Sequence, residues 1–284
     1  MKRSIGSSAV ALLVLGQAVF TSCTTAEELQ GSLQIKGSDT MVNLCQAWAE
    51  AFMAKHPQVT VAVTGGGSGT GIAALIGGTC DLVAASRTMT EKEKSQAAAQ
   101  GHEAREWKVA LDGLAVVVNP KNPVRQLTLQ QLADLFTGNM KNWKAVGGPD
   151  KVVVLLSREV NSGTHAYFKE HVLGKEKEFA PEALLMPSSQ AIADEVATNP
   201  EAIGYYGMGY LNPRNAALAV AKTPEGPYIT PSIASVQSGT YPISRPLFFY
   251  SRGEVQGLAN AFLEFTLSPD GQAIVQQTDF VPLP

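Results

Sequence analysis

From about residue 30 onward, short strand-like runs alternate with stretches of helical periodicity, and this alternation limits the chain to few architectures. Residues 32–37 (Ser-Leu-Gln-Ile-Lys-Gly) alternate as a short strand does, and from Thr40 the apolar Met41, Leu44, Cys45, Trp48 and Phe52 recur at helical spacing up to Pro57. Residues 58–64 are β-branched and end in Gly65-Gly66-Gly67, after which 70–76 has a helical pattern. Residues 80–86 repeat the strand, and the Glu/Lys/Ala-rich 90–100 repeats the helix. Such a βαβα order predicts α/β layers around a mostly parallel sheet.

The nearly continuous apolar run 111–120 predicts a long buried strand, and Thr128 to Gln131 carry a capping-box pattern at the start of a helix. A second lobe is expected to begin here. It has strands at 151–157 and 202–207 and helices at 162–173 and 189–198. A strand at 245–251, a helix at 255–267 and a short helix opened by Ser268-Pro269 complete the chain. No internal repeat or low-complexity segment interrupts the order.

Lys2 and Arg3 precede an apolar run from Ala9 to Phe20, followed by small residues and Cys23. This is the pattern of an export leader, expected over residues 1–23. The run is shorter than the ~20 residues that span a bilayer, so no transmembrane anchor is expected. Cys23 stands where a bacterial lipoprotein carries its acylated cysteine; the alternative is ordinary cleavage a few residues later. Cys45 and Cys80 then remain, either as a disulfide or as two buried thiols. Without the leader, roughly 260 residues suffice for two lobes with real cores. With 17% charged residues and a net charge of −3, the chain offers no general attraction for nucleic acid or anionic membranes, so any anion site must be local.

Four strand-to-helix junctions are unusually polar: 36–41, 64–72, 84–90 and 157–165. Ligands of open α/β sheets bind at such junctions, beyond the carboxyl ends of the strands. At the first, Ser38 or Asp39 is placed to cap a helix starting near Thr40, exposing first-turn N–H groups to an oxyanion. At the second, the glycines permit close backbone approach, and Ser68 leads into the helix. It is not a P-loop, because Ile72 stands where a lysine is needed, and Gly69 to Ala74 match the dinucleotide pattern only loosely. The third ends in Ser86-Arg87, whose cation suits a phosphate better than a ribose. The fourth sets Arg158 at a strand end and Ser162-Gly163-Thr164 at a helix start four residues later. Each junction alone is accounted for by capping and a surface charge. Together they supply a planar guanidinium fork and many directional donors, as a tetrahedral oxyanion requires.

Other chemistry fits poorly. The four histidines lack metal-ligand spacing, the cysteines form no C-x-x-C pair, and the nucleophile-elbow pattern around Ser68 fails at Thr70. No catalytic residue, metal or cofactor is expected.

In this order the four junctions resemble those of the bacterial phosphate-binding proteins that feed a phosphate-specific ABC transporter. The likeness also covers 203–211 (Ile-Gly-Tyr-Tyr-Gly-Met-Gly-Tyr-Leu) and 241–251, and so nearly the whole mature chain. The resemblance implies a two-lobed periplasmic-binding-protein fold of type II character, closing on inorganic phosphate in the interlobe cleft. It sets one lobe at 26–112 with 246–284 and the other at 113–245. Its Arg-x-x-x-Ser-Gly-Thr element falls on Arg158, Ser162, Gly163 and Thr164, its glycine-loop serine on Ser68, and its first ligand loop on Ser38, Asp39, Thr40 and Met41; Ser86 and Arg87 complete the expected set.

Members of the family often carry aspartate where this chain has Arg87, to accept the proton of hydrogen phosphate and so exclude sulfate. Asp39 is the expected substitute. The resemblance further implies an exported periplasmic or cell-envelope monomer, attached to the membrane only through a lipid at Cys23, with permease subunits as partners. The rival readings are the same fold tuned to sulfate, molybdate or tungstate, a phosphatase or nucleotide-dependent enzyme, and an adhesin or signalling lipoprotein without uptake.

Overall fold

The structure, a computed structural model, describes Met1 and residues 28–284. Leader residues 2–23, with Cys23, lie outside the described residues.

Strand β1 (Gly31–Gly37) pairs in parallel with β2 (Val59–Thr64) on one side and β3 (Leu82–Ala85) on the other. The connecting helices are α1 (Val42–Lys55), α2 (Ser68–Ile76) and α3 (Glu91–Ala99). The apolar stripe foreseen on α1 packs inward: Leu44, Cys45, Trp48 and Phe52 are buried together with Leu33, Ile35 and Phe249. Cys45 and Cys80 are both free and buried, in separate hydrophobic clusters. Burial pushes both thiols up, that of Cys80 to about 11, as expected of inert core cysteines.

The chain then enters β4 (Ala104–Val118), which begins seven residues before the apolar run and joins the two halves. Its first part, Ala104–Gly113, lies antiparallel to β11 (Ser244–Arg252), while Leu114–Val118 pairs with β8 (Ala202–Gly207). Sequence periodicity detects the strand only from Leu111, because burial of both faces becomes uninterrupted only from Asp112 onward. After β5 (Gln126–Thr128), helix α4 (Leu129–Phe136) starts with the expected capping box: Thr128 Oγ1 accepts from the Gln131 N–H and Gln131 Oε1 from the Thr128 N–H.

In the second half, β6 (Val154–Arg158) lies parallel to β8 and to β7 (Leu184–Met186). The helices there are α5 (Gly163–Phe168) and α6 (Ser189–Thr198). The helix expected over 162–173 is α-helical only to Phe168 and continues as a wide turn to Leu173. Strands β9 (Ala216–Ala217) and β10 (Ala219–Ala221) and helix α7 (Ile233–Gln237) lead back to β11. Helices α8 (Gly257–Leu267) and α9 (Pro269–Gln277) pack on the first half, where the Trp48 Nε1–H donates to Gly271 O at 2.8 Å. Ser268 caps α9, accepting from the Gly271 N–H, with Pro269 at its first position.

The sheet order is therefore β2-β1-β3-β11-β4-β8-β6-β7, two parallel blocks joined through the antiparallel pair β11 and β4. Each block has its own apolar core: Trp48, Phe52, Phe249 and Phe262 in the first lobe, and Phe136, Trp143, Phe168 and Tyr205 in the second. All four polar junctions lie at strand ends that face the cleft between the lobes.

Candidate functional site

Ser38, Thr40, Ser68 and Ser86 of the first lobe meet Ser162, Gly163 and Thr164 of the second, and the serine and threonine side chains are almost wholly buried. The Ser38 hydroxyl does not cap a helix, contrary to expectation; it donates to Ser86 Oγ at 3.0 Å. Ser68 Oγ accepts the Ser86 N–H at 3.0 Å and lies 3.3 Å from Ser86 Oγ. Across the cleft, Thr40 Oγ1 is 2.7 Å from Thr164 Oγ1. Ser162 caps α5 as foreseen, accepting from the Thr164 and His165 N–H groups at 3.1 and 3.4 Å.

The lobes are closed on one another. A Cβ at Gly163 would collide with Ser68 Oγ and stand 2.7 Å from Ser86 Oγ, so only glycine lets the start of α5 come this near. Gly67, at φ +98°, meets the Asn161 carbonyl in the same way. Asn161 O accepts the Gly69 N–H at 2.9 Å, and Asn161 Nδ2 donates to Gly66 O at 2.9 Å. The glycine run thus serves as the seat for the 159–162 turn of the opposite lobe.

Arg158 is 2% exposed in its side chain and reaches across to Asp39 Oδ2 at 3.0 Å. The same oxygen accepts from Ser189 N and Ser189 Oγ at 2.8 and 3.0 Å. Asp39, assigned from sequence to a cap or a proton acceptor, is here an interlobe anion that accepts two hydrogen bonds from Ser189 and faces the Arg158 guanidinium. Burial lowers the pKa of Arg158 and Asp39 counters it; a guanidinium stays charged throughout. Tyr210 adds an interlobe hydrogen bond to the Asp39 carbonyl at 2.9 Å.

Two residues on the expected list stand apart from the hydroxyl cluster. Arg87 makes a two-pronged pair with Glu93 at 2.9 and 2.7 Å, and Glu93 also closes the capping box of Thr90 on α3. Burial works to raise the Glu93 carboxyl, but the bonds from Arg87 and Thr90 outweigh it and hold it below its usual range. Met41 sits in the first core and its N–H bonds to Ser38 O.

The structure adds a pair that sequence reasoning missed. Arg245 on β11 donates through Nε and Nη2 to Asp112 Oδ2 on β4 at 3.0 and 2.8 Å, and both side chains are essentially inaccessible. Arg245 also donates to the Ser86 carbonyl at 3.1 Å and to Thr164 Oγ1 at 3.0 Å. Asp112 receives the Met208 N–H at 3.1 Å. Burial pushes its carboxyl above the usual range, against the pull of Arg245. The available signal was a single charge in each of the apolar runs 111–120 and 245–251, an arrangement that is costly unless the charges are paired.

The cluster therefore holds two guanidinium groups, two carboxylates and a ring of hydroxyls, with no buried side-chain polar atom unpartnered among the described residues. Its formal charge sums to zero, so an anion here is held by directed donors rather than by net charge. A cavity of about 450 Å³, lined by Arg87, Val160, Tyr167, Arg245 and Phe248 among others, lies beside it between the lobes. Among the described residues no group of three or more His, Cys, Asp or Glu side chains is arranged to hold a metal.

Residues 23–270 match the PBP superfamily domain. The chain is 33% identical to the phosphate-binding protein PstS of Pseudomonas aeruginosa over 277 residues, covering 91% of this chain and 85% of that protein. It is 35% identical to PstS of Bacillus subtilis over 260 residues, covering 90% and 82%. Among solved structures, a candidate phosphate ABC transporter substrate-binding protein from Clostridium perfringens, with bound phosphate, superposes with a TM-score of 0.82 at 31% identity, covering 89% of this chain and all of that one. An ABC-type phosphate transport receptor from Vibrio cholerae gives 0.71 at 28%, again over 89% of this chain and all of that one. The chain thus belongs to the PBP superfamily and, within it, to the family of PstS phosphate-binding proteins.

Proposed function

We propose that this protein captures inorganic phosphate between its lobes and hands it to the permease of an ABC importer outside the cytoplasm. The observation that carries the reading is the meeting of Thr40 with Thr164, and of Ser68 and Ser86 with Gly163, across a closed cleft. Each hydroxyl has one hydrogen to give, and several already accept a hydrogen bond from behind, which directs that hydrogen towards a ligand. The Ser86 N–H backs Ser68, two N–H groups of α5 back Ser162, and Arg245 backs Thr164. Arg158 brings a guanidinium to the lobe interface, where Ser189 Oγ and the Met186 and Pro187 carbonyls hold it beside Asp39; an anion that enters competes with these partners for its N–H groups. An anion bridging the two sets favours the closed lobes, and the closed shape is what a permease distinguishes. Acylation of Cys23 would keep the protein at the membrane, and it acts as a monomer. Binding and release without chemistry is the whole activity in this reading.

Calorimetric titration of ligand-stripped protein tests it. Phosphate is expected to bind with a Kd of about 1 μM or tighter, near −8 kcal/mol, with no sulfate heat. Heat with sulfate or molybdate and none with phosphate would retain the site and overturn the substrate.

A further inference from the structure

Arg245 is the one side chain in the site that touches both lobes and both crossing strands. Its Nη1 holds the Ser86 carbonyl of the first lobe, its Nη2 reaches the Thr164 hydroxyl of the second, and Nε with Nη2 grips Asp112 on β4. Asp112 is fixed in turn by the Met208 N–H, and the Tyr167 ring packs over the guanidinium at 5.5 Å. No freedom to swing remains: the side chain is 1% exposed and its fork is anchored in three directions.

The consequence falls on Thr164. Its oxygen accepts from a cation, so its single hydrogen points away from Arg245, either to Thr40 Oγ1 or to the space an anion takes. When Thr164 donates to Thr40, the Thr40 hydrogen is directed outward in its turn. A buried cation behind the hydroxyls thereby orients a two-hydroxyl relay that spans the cleft.

We propose that Arg245, anchored by Asp112, is a positioning residue for anion binding: it orients the Thr164 and Thr40 hydroxyls as donors and fixes Ser86 relative to α5. It acts through Thr164 rather than as a direct ligand. The inference rests on the hydroxyl ring being the phosphate site. A lysine cannot replace the fork, because one ammonium cannot satisfy Asp112, Ser86 and Thr164 with the same planar geometry.

A double-mutant cycle on phosphate affinity tests it. Four proteins are compared by calorimetry: wild type, Thr164→Val, the charge-neutral pair Asp112→Asn with Arg245→Gln, and all three changes together. Thr164→Val is expected to weaken binding about 10- to 100-fold, and the neutral pair by a similar factor. The combination should lose hardly more than either, because both remove the same donor. Arg245→Lys, which retains the buried charge, should show the same loss and takes the place of the neutral pair in the cycle if that pair does not fold. Losses that multiply, or wild-type affinity in Arg245→Lys, would show that Arg245 acts directly on the anion or serves only the fold. Full affinity in Thr164→Val would remove the site assignment and the inference with it.

Discussion

The pairs Asp39–Arg158 and Asp112–Arg245 have the same chemistry and nearly the same length, 3.0 and 2.8 Å, but different positions. Arg158 and Asp39 come from opposite lobes, and Asp39 is 17% exposed in its side chain. Arg245 and Asp112 lie opposite each other on hydrogen-bonded strands and are 1% and 0% exposed. Opening the cleft returns water to the first pair and leaves the second on its own strands. The difference separates a latch, whose strength enters the open–closed equilibrium, from an anchor whose two charges must stay matched for the fold to tolerate them.

Removing one partner from each pair should expose this contrast most strongly. Asp112→Ala leaves a buried guanidinium uncompensated and should lower unfolding free energy by about 3–5 kcal/mol, measured by urea denaturation. Asp39→Ala should cost about 1 kcal/mol or less in ligand-free protein. Equal costs would erase the distinction.

Arg158→Met comes next, with phosphate affinity reduced by about 2–5 kcal/mol in calorimetry and only a small change in thermal midpoint. A midpoint that falls as far as affinity would place Arg158 with the structural pair instead.

Asp39→Asn retains the shape and the hydrogen bonds of one oxygen while removing the interlobe charge. Phosphate dissociation should accelerate about tenfold, or 1.4 kcal/mol, in stopped-flow release. The same variant decides whether Asp39 also rejects sulfate. New sulfate binding would assign it the acceptor role expected from sequence, and unchanged rejection would leave it a latch alone.

The smallest effect concerns His165, which follows the Arg158 strand end and donates from Nδ1 to Arg158 O at 2.9 Å. Burial lowers its pKa, although the Arg158 carbonyl opposes this. A folded-state pKa below the unfolded value of ~6.5 favours the neutral ring. That contribution is complete above the unfolded value and is lost as pH falls through the folded one. Stability should therefore drop on acidification below about pH 6.5, and His165→Gln should show a shallower decline over that window. An identical slope would remove His165 from the pH response.

The strand and helix order was legible in the sequence because periodicity reports burial directly: β1 through α2, the Thr128 capping box and the Ser268-Pro269 start all stand where their patterns place them. The four junctions were legible too, since hydroxyls and glycines at strand ends have few other uses in such numbers. What the sequence concealed was pairing. Arg87 has the right type and a ligand-like place, yet Glu93 six residues on takes its fork, an i+6 relation that no helical or strand period reveals. Asp112 and Arg245 are 133 residues apart, and only the register of β4 on β11 brings them together. The length of β4 was missed for a related reason: its first half is partly exposed and loses the apolar signal.

The central claim is that the donors of the two lobes form one site only when the lobes close on phosphate. Small-angle scattering of ligand-stripped protein during a phosphate titration tests this most directly. The radius of gyration should fall with phosphate, saturate at one equivalent and stay constant with sulfate. A radius indifferent to phosphate, or one that contracts equally with sulfate, would contradict the account.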